Sequence, residues 1–305
     1  MYKHVALLVR QSGTTHEAFR DYWLNEHTPI ARDIEGVVRY HTVAPTDPEH
    51  SEFDGIAELY FEDLDDLHAA LGSPGSRDYD PEKGAAAKAR ADVDNFLAID
   101  ERPRFIGEEV VRTDAVGGDT DGLYKHSAFL VRKEGMSHEA FRDYWEHEHT
   151  PLARDIEGVV RYHTVYPTDP EHSEFDGVAE LYFEDLADLH AALGSPGSRD
   201  YDPEKEVAAK ARADVDKFLA IDERPRFIGR ETVPHSLSGY ALAHEVGCPM
   251  AVKRAIPHFH GEIPDRTLEA ELVKSANSAS SNAITRATMG ISLPVWVERY
   301  SQTTD

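Results

Sequence analysis

A chain of 305 residues, 40% of them apolar, is long enough for two or three soluble domains. Its 57 acidic and 32 basic residues give a net charge of −25, a surface that repels nucleic acid and anionic membranes and argues against both as partners. No apolar run approaches the roughly 18 residues of a membrane span, and the single cysteine, Cys248, excludes an intrachain disulfide and suits a reducing cytoplasm. From Pro234 onward 7 acidic and 6 basic residues nearly balance, so the acid excess is spread over the part before it. Either an acidic solvation shell suited to high internal salt, as in halophilic organisms, or a basic partner explains this excess; its dispersion favours the first.

The N-terminal MYKHVALLVRQSG lacks a small-residue cleavage site after its short apolar stretch and reads as a strand over His4–Arg10, not as a signal peptide. Thr15 then supplies an N-cap for HEAFRDYWLNEH, whose Phe19, Tyr22, Trp23 and Ile30 form one helical stripe. Pro29 is expected to end that helix near His27. Val37–Val43 and Gly55–Phe61 alternate as strands around the turn-rich PTDPEHSEFDG, and Asp63–Leu71 starts a helical region interrupted by Gly72-Ser73-Pro74-Gly75. An Ala-rich helix around Glu82–Leu97 and a strand at Arg104–Val111 complete the order β-α-β-β-α-β, a ferredoxin-like split βαβ of the α+β class.

The same domain then recurs. Tyr2–Gly107 aligns with Tyr124–Gly229 at a constant offset of 122 without a gap, and 15 of these 106 positions differ. The organisation is therefore copy one (1–112), a polar Gly-containing linker (113–123), copy two (124–233) and a tail of different composition (234–305). A ferredoxin-like sheet leaves one apolar face bare, and a duplicate covers it, so the copies are expected to pack face to face as an intramolecular two-sheet barrel.

The segment AFRDYWLNEHTPIARDIEGVVRYHTV (Ala18–Val43), repeated at Ala140–Val165, carries Phe-x-x-Tyr-Trp-x-x-x-His-x-Pro followed by a glycine and a tyrosine-bearing strand. This pattern resembles the EthD family of dimeric α+β-barrel proteins across nearly the whole of each copy. The resemblance implies a pseudo-dimer within one chain and a small hydrophobic organic ligand in an enclosed cavity. Related barrels carry out dehydrations, ring closures, isomerisations and oxygenations without a bound cofactor, so none is expected. Proton-transfer chemistry is favoured over hydride transfer, because no dinucleotide glycine fingerprint is present. The alternatives are a non-catalytic ligand-binding or accessory component of an oxygenase or degradation pathway, and an assembly module.

His27 and His149 lead the catalytic candidates. Each follows Trp23 or Trp145 by four residues near an expected helix C-terminus, whose dipole would raise its pKa; the competing reading is a cap packed on the tryptophan. Strand parity adds an inward-facing set of His4, Arg39, His41, Glu58 and Tyr60, with His126, Arg161, His163, Glu180 and Tyr182 as counterparts. It assigns Val5, Leu7 and Val9 to the helix side and pairs Val38 with Tyr40 in the core. A buried Glu58 beside His41 suits acid–base work, and a structural Arg39–Glu58 ion pair is the competing reading. His50, His68, His172 and His190 read as solvated. His147-Glu148-His149 suggests a metal only superficially, because copy one has Asn25-Glu26-His27 and adjacent residues diverge around a helix; no metal is expected. The tail, with a β-α-β pattern from Ala255, weakly resembles small tautomerases. The matching Pro257 is internal, so its nitrogen is an amide and no base, and His258-x-His260 lacks a third ligand.

Overall fold

In a computed structural model, residues 1–76, 81, 84–98, 102–198 and 201–234 are described. The chain divides into two units, Met1–Leu242 and Ala243–Asp305; Cys248 and the expected tautomerase-like segment with Pro257, His258 and His260 lie outside the described residues.

Copy one contributes strands β1 (Tyr2–Leu8), β2 (Val37–Pro45), β3 (Gly55–Phe61) and β4 (Arg104–Asp114), with helices α1 (His16–Tyr22), α2 (Thr28–Arg32), α3 (Leu64–Leu71) and α4 (Gly84–Val93). Copy two repeats them as β5 (Tyr124–Leu130), α5 (His138–Tyr144), α6 (Thr150–Arg154), β6 (Val159–Pro167), β7 (Gly177–Phe183), α7 (Leu186–Leu193), α8 (Glu206–Asp214) and β8 (Arg226–Thr232). All pairings are antiparallel, and the order β1-β3-β2-β8-β5-β7-β6-β4 closes into a barrel. Closure comes from strands that bridge the copies. β4 stays paired with its own β1 and takes β6 on its other side, and β8 does the same between β5 and β2, so neither copy keeps a free sheet edge. β4 also runs to Asp114, into the segment expected to be linker.

Thr15 and Ser137 cap α1 and α5 by accepting from the backbone N–H of Ala18 and Ala140. The helix does not stop at Pro29. A π-turn over Trp23–His27 carries the chain from α1 directly into α2, with Thr28 N–H bonded to Trp23 O. The wider turn lets the helical backbone pass a residue with no N–H to donate, and Pro29 falls at the start of α2. The same happens at Trp145–His149.

Three cores result. Two lie between the outer sheet face and the helices, one per copy, each built around Trp23 or Trp145. The third fills the barrel with Val5, Leu7, Val43, Ile56, Phe105 and their counterparts. The parity expected for β1 is therefore reversed: Val5 and Leu7 face the interior, whereas His4, Ala6 and Leu8 face the helices. Both faces of the strand are buried, so its uninterrupted apolar run does not encode which side is which. In β2, Tyr40 joins the helix-side core as expected. Val38 does not: a register shift between Val37 and Arg39 bulges it outward to 47% exposure. Gly55 and Gly177 are dictated by the tryptophans. A Cβ there would lie 2.6 Å from the Trp23 ring and 2.5 Å from the Trp145 ring, so only glycine lets the indole lie against the strand start.

Candidate functional site

Each copy forms a partly open cavity of about 50 Å³ between its sheet and its helices. In copy one the walls are Ala6 and Leu8 of β1, Ala57 and Leu59 of β3, Trp23, Ala31 and Ile34, with Ala89, Val93 and Phe96 opposite. The polar groups reaching this apolar space include His4, His27, Tyr40 and Arg102. Copy two presents His126, His149 and Arg224 in the same frame. None of the 15 positions at which the copies differ is among the residues lining either cavity, whereas Val5/Ser127, Leu7/Phe129 and Ile56/Val178 all lie inside the barrel.

His27 is held by an aspartate that its own segment gives no hint of. The π-turn aims the imidazole at α4, where Nδ1 lies 2.8 Å from Asp92 Oδ2, and the ring packs on Phe96. Tyr22 O–H donates to the other oxygen, Asp92 Oδ1, at 2.7 Å. In copy two His149 Nδ1 is 2.9 Å from Asp214 Oδ2, and Tyr144 O–H donates to Asp214 Oδ1 at 2.8 Å. A carboxylate on Nδ1 fixes the imidazole with its proton there and leaves Nε2 as the basic atom. Burial pulls the pKa of both histidines below the ordinary value, and the aspartate only partly offsets it. The expected helix-dipole increase is absent, because the backbone continues through His27 into α2 and leaves no helix end there. Burial pushes Asp92 up, but the hydrogen bonds from Tyr22, His27 and Asn95 outweigh it and keep the carboxylate ionised.

Trp23 and Trp145 line the cavities, and their indole N–H groups donate to Tyr40 and Tyr162 at 3.2 and 3.1 Å. His4 and His126 lie on the helix side and not in the barrel, following the reversed parity of β1. Burial, then the guanidinium groups of Arg104 and Arg102, holds His4 well below the ordinary histidine pKa; Arg226 and Arg224 act likewise on His126.

The remaining candidates form a separate constellation inside the barrel. His41, Glu58 and Tyr60 point inward with His163, Glu180 and Tyr182, joined by Lys3 and Lys125 from β1 and β5 and by Glu109 and Glu231 from β4 and β8. Lys3 Nζ donates to both Glu180 oxygens at 2.6 Å and lies 3.2 Å from Glu58 Oε1; Lys125 Nζ donates to Glu58 Oε1 at 2.5 Å and Glu231 Oε2 at 2.9 Å. Each lysine thus spans the copies. Burial and the neighbouring Glu180 push Glu58 up to about 8, while the two lysines overcome burial and draw Glu180 down to about 2, so the pair holds one proton at neutral pH. His41 with Glu58 and Glu231, and His163 with Glu109 and Glu180, are spaced closely enough to ligate a metal. In both groupings a lysine ammonium already bridges the carboxylates.

The expected Arg39–Glu58 pair gives way to these lysines. The bulge in β2 leaves Arg39 exposed, stacked over the Tyr60 ring at 4.6 Å, whereas Arg161 is buried against Asp114 and the Gly118 carbonyl. His50 and His172 are exposed beside Asp47 and Asp169 as expected, but His68 and His190 are half-buried in α3 and α7. His147 faces solvent and bonds back to Asp143, away from the buried His149.

Asp92 and Arg102 beside the cavities, and Lys3 and Glu109 in the barrel cluster, with their counterparts, are the partners that sequence reasoning missed. Glu58, an acid in an otherwise apolar strand, was the one signal that a buried cation had to exist.

Among the described residues no helix is long and apolar enough to cross a membrane. No curated protein matches the chain. Among solved structures, an anthrone oxidase-like protein superposes with a TM-score of 0.51 at 14% identity, over 77% of this chain and 91% of that one. A chlorite dismutase from Candidatus Nitrospira defluvii gives 0.44 at 12% identity, over 76% and 90%. An EthD family protein from Bacillus halodurans C-125 is 21% identical, spanning 35% of this chain and 96% of its own, with a TM-score of 0.28. The EthD domain profile matches twice, at residues 11–100 and 133–222, once in each copy. The chain is a tandem member of the EthD family, with its two domains closed into one α+β barrel.

Proposed function

We propose that the chain takes a small apolar molecule into each helix–sheet cavity and that His27 and His149 move a proton there through Nε2. The observation that carries this reading is the duplicated His–Asp pair at the wall of an apolar cavity, His27–Asp92 and His149–Asp214. An imidazole oriented by a carboxylate at the wall of a largely apolar space is the minimal equipment for isomerisation, dehydration or cyclisation. Trp23, Trp145, Tyr40 and the apolar wall shape the ligand. Glu58, Glu180, His41, His163, Tyr60 and Tyr182 are read as the ionic lock between the copies, and Arg39 and Arg161 as residues at its rim. An apolar cavity of about 150 Å³ holds a benzene ring, so each cavity of about 50 Å³ has to widen to take a ring of that size.

The test is hydrogen–deuterium exchange at the α-carbon of acetophenone in D₂O, followed by NMR. Exchange accelerated by the protein and reduced about 10²-fold or more in the His27→Ala/His149→Ala variant supports the proposal. Exchange unchanged in that variant removes the histidines. Bound acetophenone without accelerated exchange supports a non-catalytic ligand-binding component, the competing reading that the small cavities favour.

A further inference from the structure

We infer that His4 and His126 form an oxygen-binding end in the two pockets, taking a carbonyl or anionic oxygen of an otherwise apolar ligand. The inference rests on the pocket reading above and adds what the ligand must carry.

The geometry begins with hydrogen bonds that are not made. His4 is 3% exposed, and neither of its ring nitrogens has a hydrogen-bond partner. His126 is 4% exposed, and its Nε2 accepts from Arg226 Nε at 3.1 Å. That bond places the His126 proton on Nδ1, a buried donor for which the protein supplies no acceptor. Buried polar side-chain atoms are nearly always satisfied, so the same unfilled position in both copies needs an explanation. Histidine as a core filler does not provide one, since an apolar residue of similar size would fill the space without leaving a stranded donor.

Charge around the imidazoles points the same way. Arg102 and Arg224 line the same cavities and are themselves buried. Beside them, Arg104 is pinned by donating to the carbonyls of Leu71 and Ser76, and Arg226 by donating to those of Leu193 and Ser198. Fixed guanidinium groups therefore bias this end towards an oxygen lone pair or negative charge, within a protein of net charge −25. Burial and those guanidiniums keep the imidazoles neutral, so each offers one N–H and not a competing cation. Most of the remaining lining is apolar. The ligand is thus an apolar skeleton bearing one oxygen acceptor, with His27 or His149 placed in the same pocket as the proton-transfer group.

The test is isothermal titration of the full chain with benzoate, acetophenone, toluene and benzylamine. Benzoate or acetophenone should bind at two sites per chain about tenfold tighter than toluene, and benzylamine weakest. Benzoate ahead of acetophenone assigns an anionic oxygen; the reverse assigns a carbonyl. The His4→Phe/His126→Phe variant should lose the preference while retaining toluene, and His4→Asn/His126→Asn, which keeps a donor, should recover part of it. Should the phenylalanine variant fail to fold, the wild-type ranking and the asparagine variant still decide. Toluene binding as tightly as the oxygen-bearing probes, or benzylamine binding best, overturns this inference and leaves the pocket reading standing. Failure of all four probes to bind overturns both.

Discussion

At the scale of single residues, the site depends on partners that no local pattern announces. His27 and Asp92 are 65 residues apart, as are His149 and Asp214. The histidine was legible from its place in the Trp-x-x-x-His-x-Pro motif. The aspartate, one of many acids in an Ala-rich helix of an acidic chain, was not. The buried histidines also predict a pH dependence. His4, His27, His126 and His149 all have pKa values below the ordinary 6.5 of an unfolded chain. Below that pH the unfolded state binds more protons, so the stability they contribute is complete above pH 6.5 and is lost as the pH falls towards their folded values. Glu58 acts in the opposite sense, losing its contribution as the pH rises from 4.5 towards about 8, so the histidine effect is best read as a difference. Urea unfolding at pH 7 and pH 5.5 should show a steeper loss for the wild type than for His4→Asn/His126→Asn, by up to about 1.4 kcal/mol per pH unit for each histidine removed. Equal losses would show that the two imidazoles are not held neutral.

At the scale of elements, order and type were legible because each strand and helix carries its own periodicity and caps. Thr15, Ser137 and the split second helical region behave as their chemistry dictates. Two features were not legible for a common reason: the information lies in contacts. Both faces of β1 are buried, so the apolar run VALLV fits either orientation, and Lys3 enters the barrel only because Glu58 and Glu180 await it there. Likewise the motif locates His27 but not the π-turn that carries Pro29 into a second helix. The tryptophan–glycine contact is where an element fixes the pocket. A methyl group at Gly55 or Gly177 meets the indole at under 3 Å, so Gly55→Ala or Gly177→Ala should cost about 1–3 kcal/mol by overpacking. Urea denaturation measures it; a change below about 0.5 kcal/mol would mean that the indole is free to withdraw.

At the scale of the whole molecule, the duplication was legible without any structure, and it implies that any inherited site should occur twice. The proposed site lies on the other side of the sheet from the barrel interior that strand parity suggests. A barrel interior seemed the natural ligand chamber, yet it is filled by an apolar cluster and by two lysines bridging glutamates of both copies. Removing one partner from such a buried network is costly, which makes it an effective lock between the copies and a poor place for a ligand. The helix–sheet cavities meet the twofold criterion, lined by the same residue types at an offset of 122. The central claim is therefore a count and a location, and anomalous diffraction from crystals soaked in 4-iodobenzoate measures both. Two iodine peaks per chain are predicted, one beside Trp23 and His27 and one beside Trp145 and His149. A peak inside the barrel among Lys3, Glu58 and Glu180, or no peak in either helix–sheet cavity, would contradict the account.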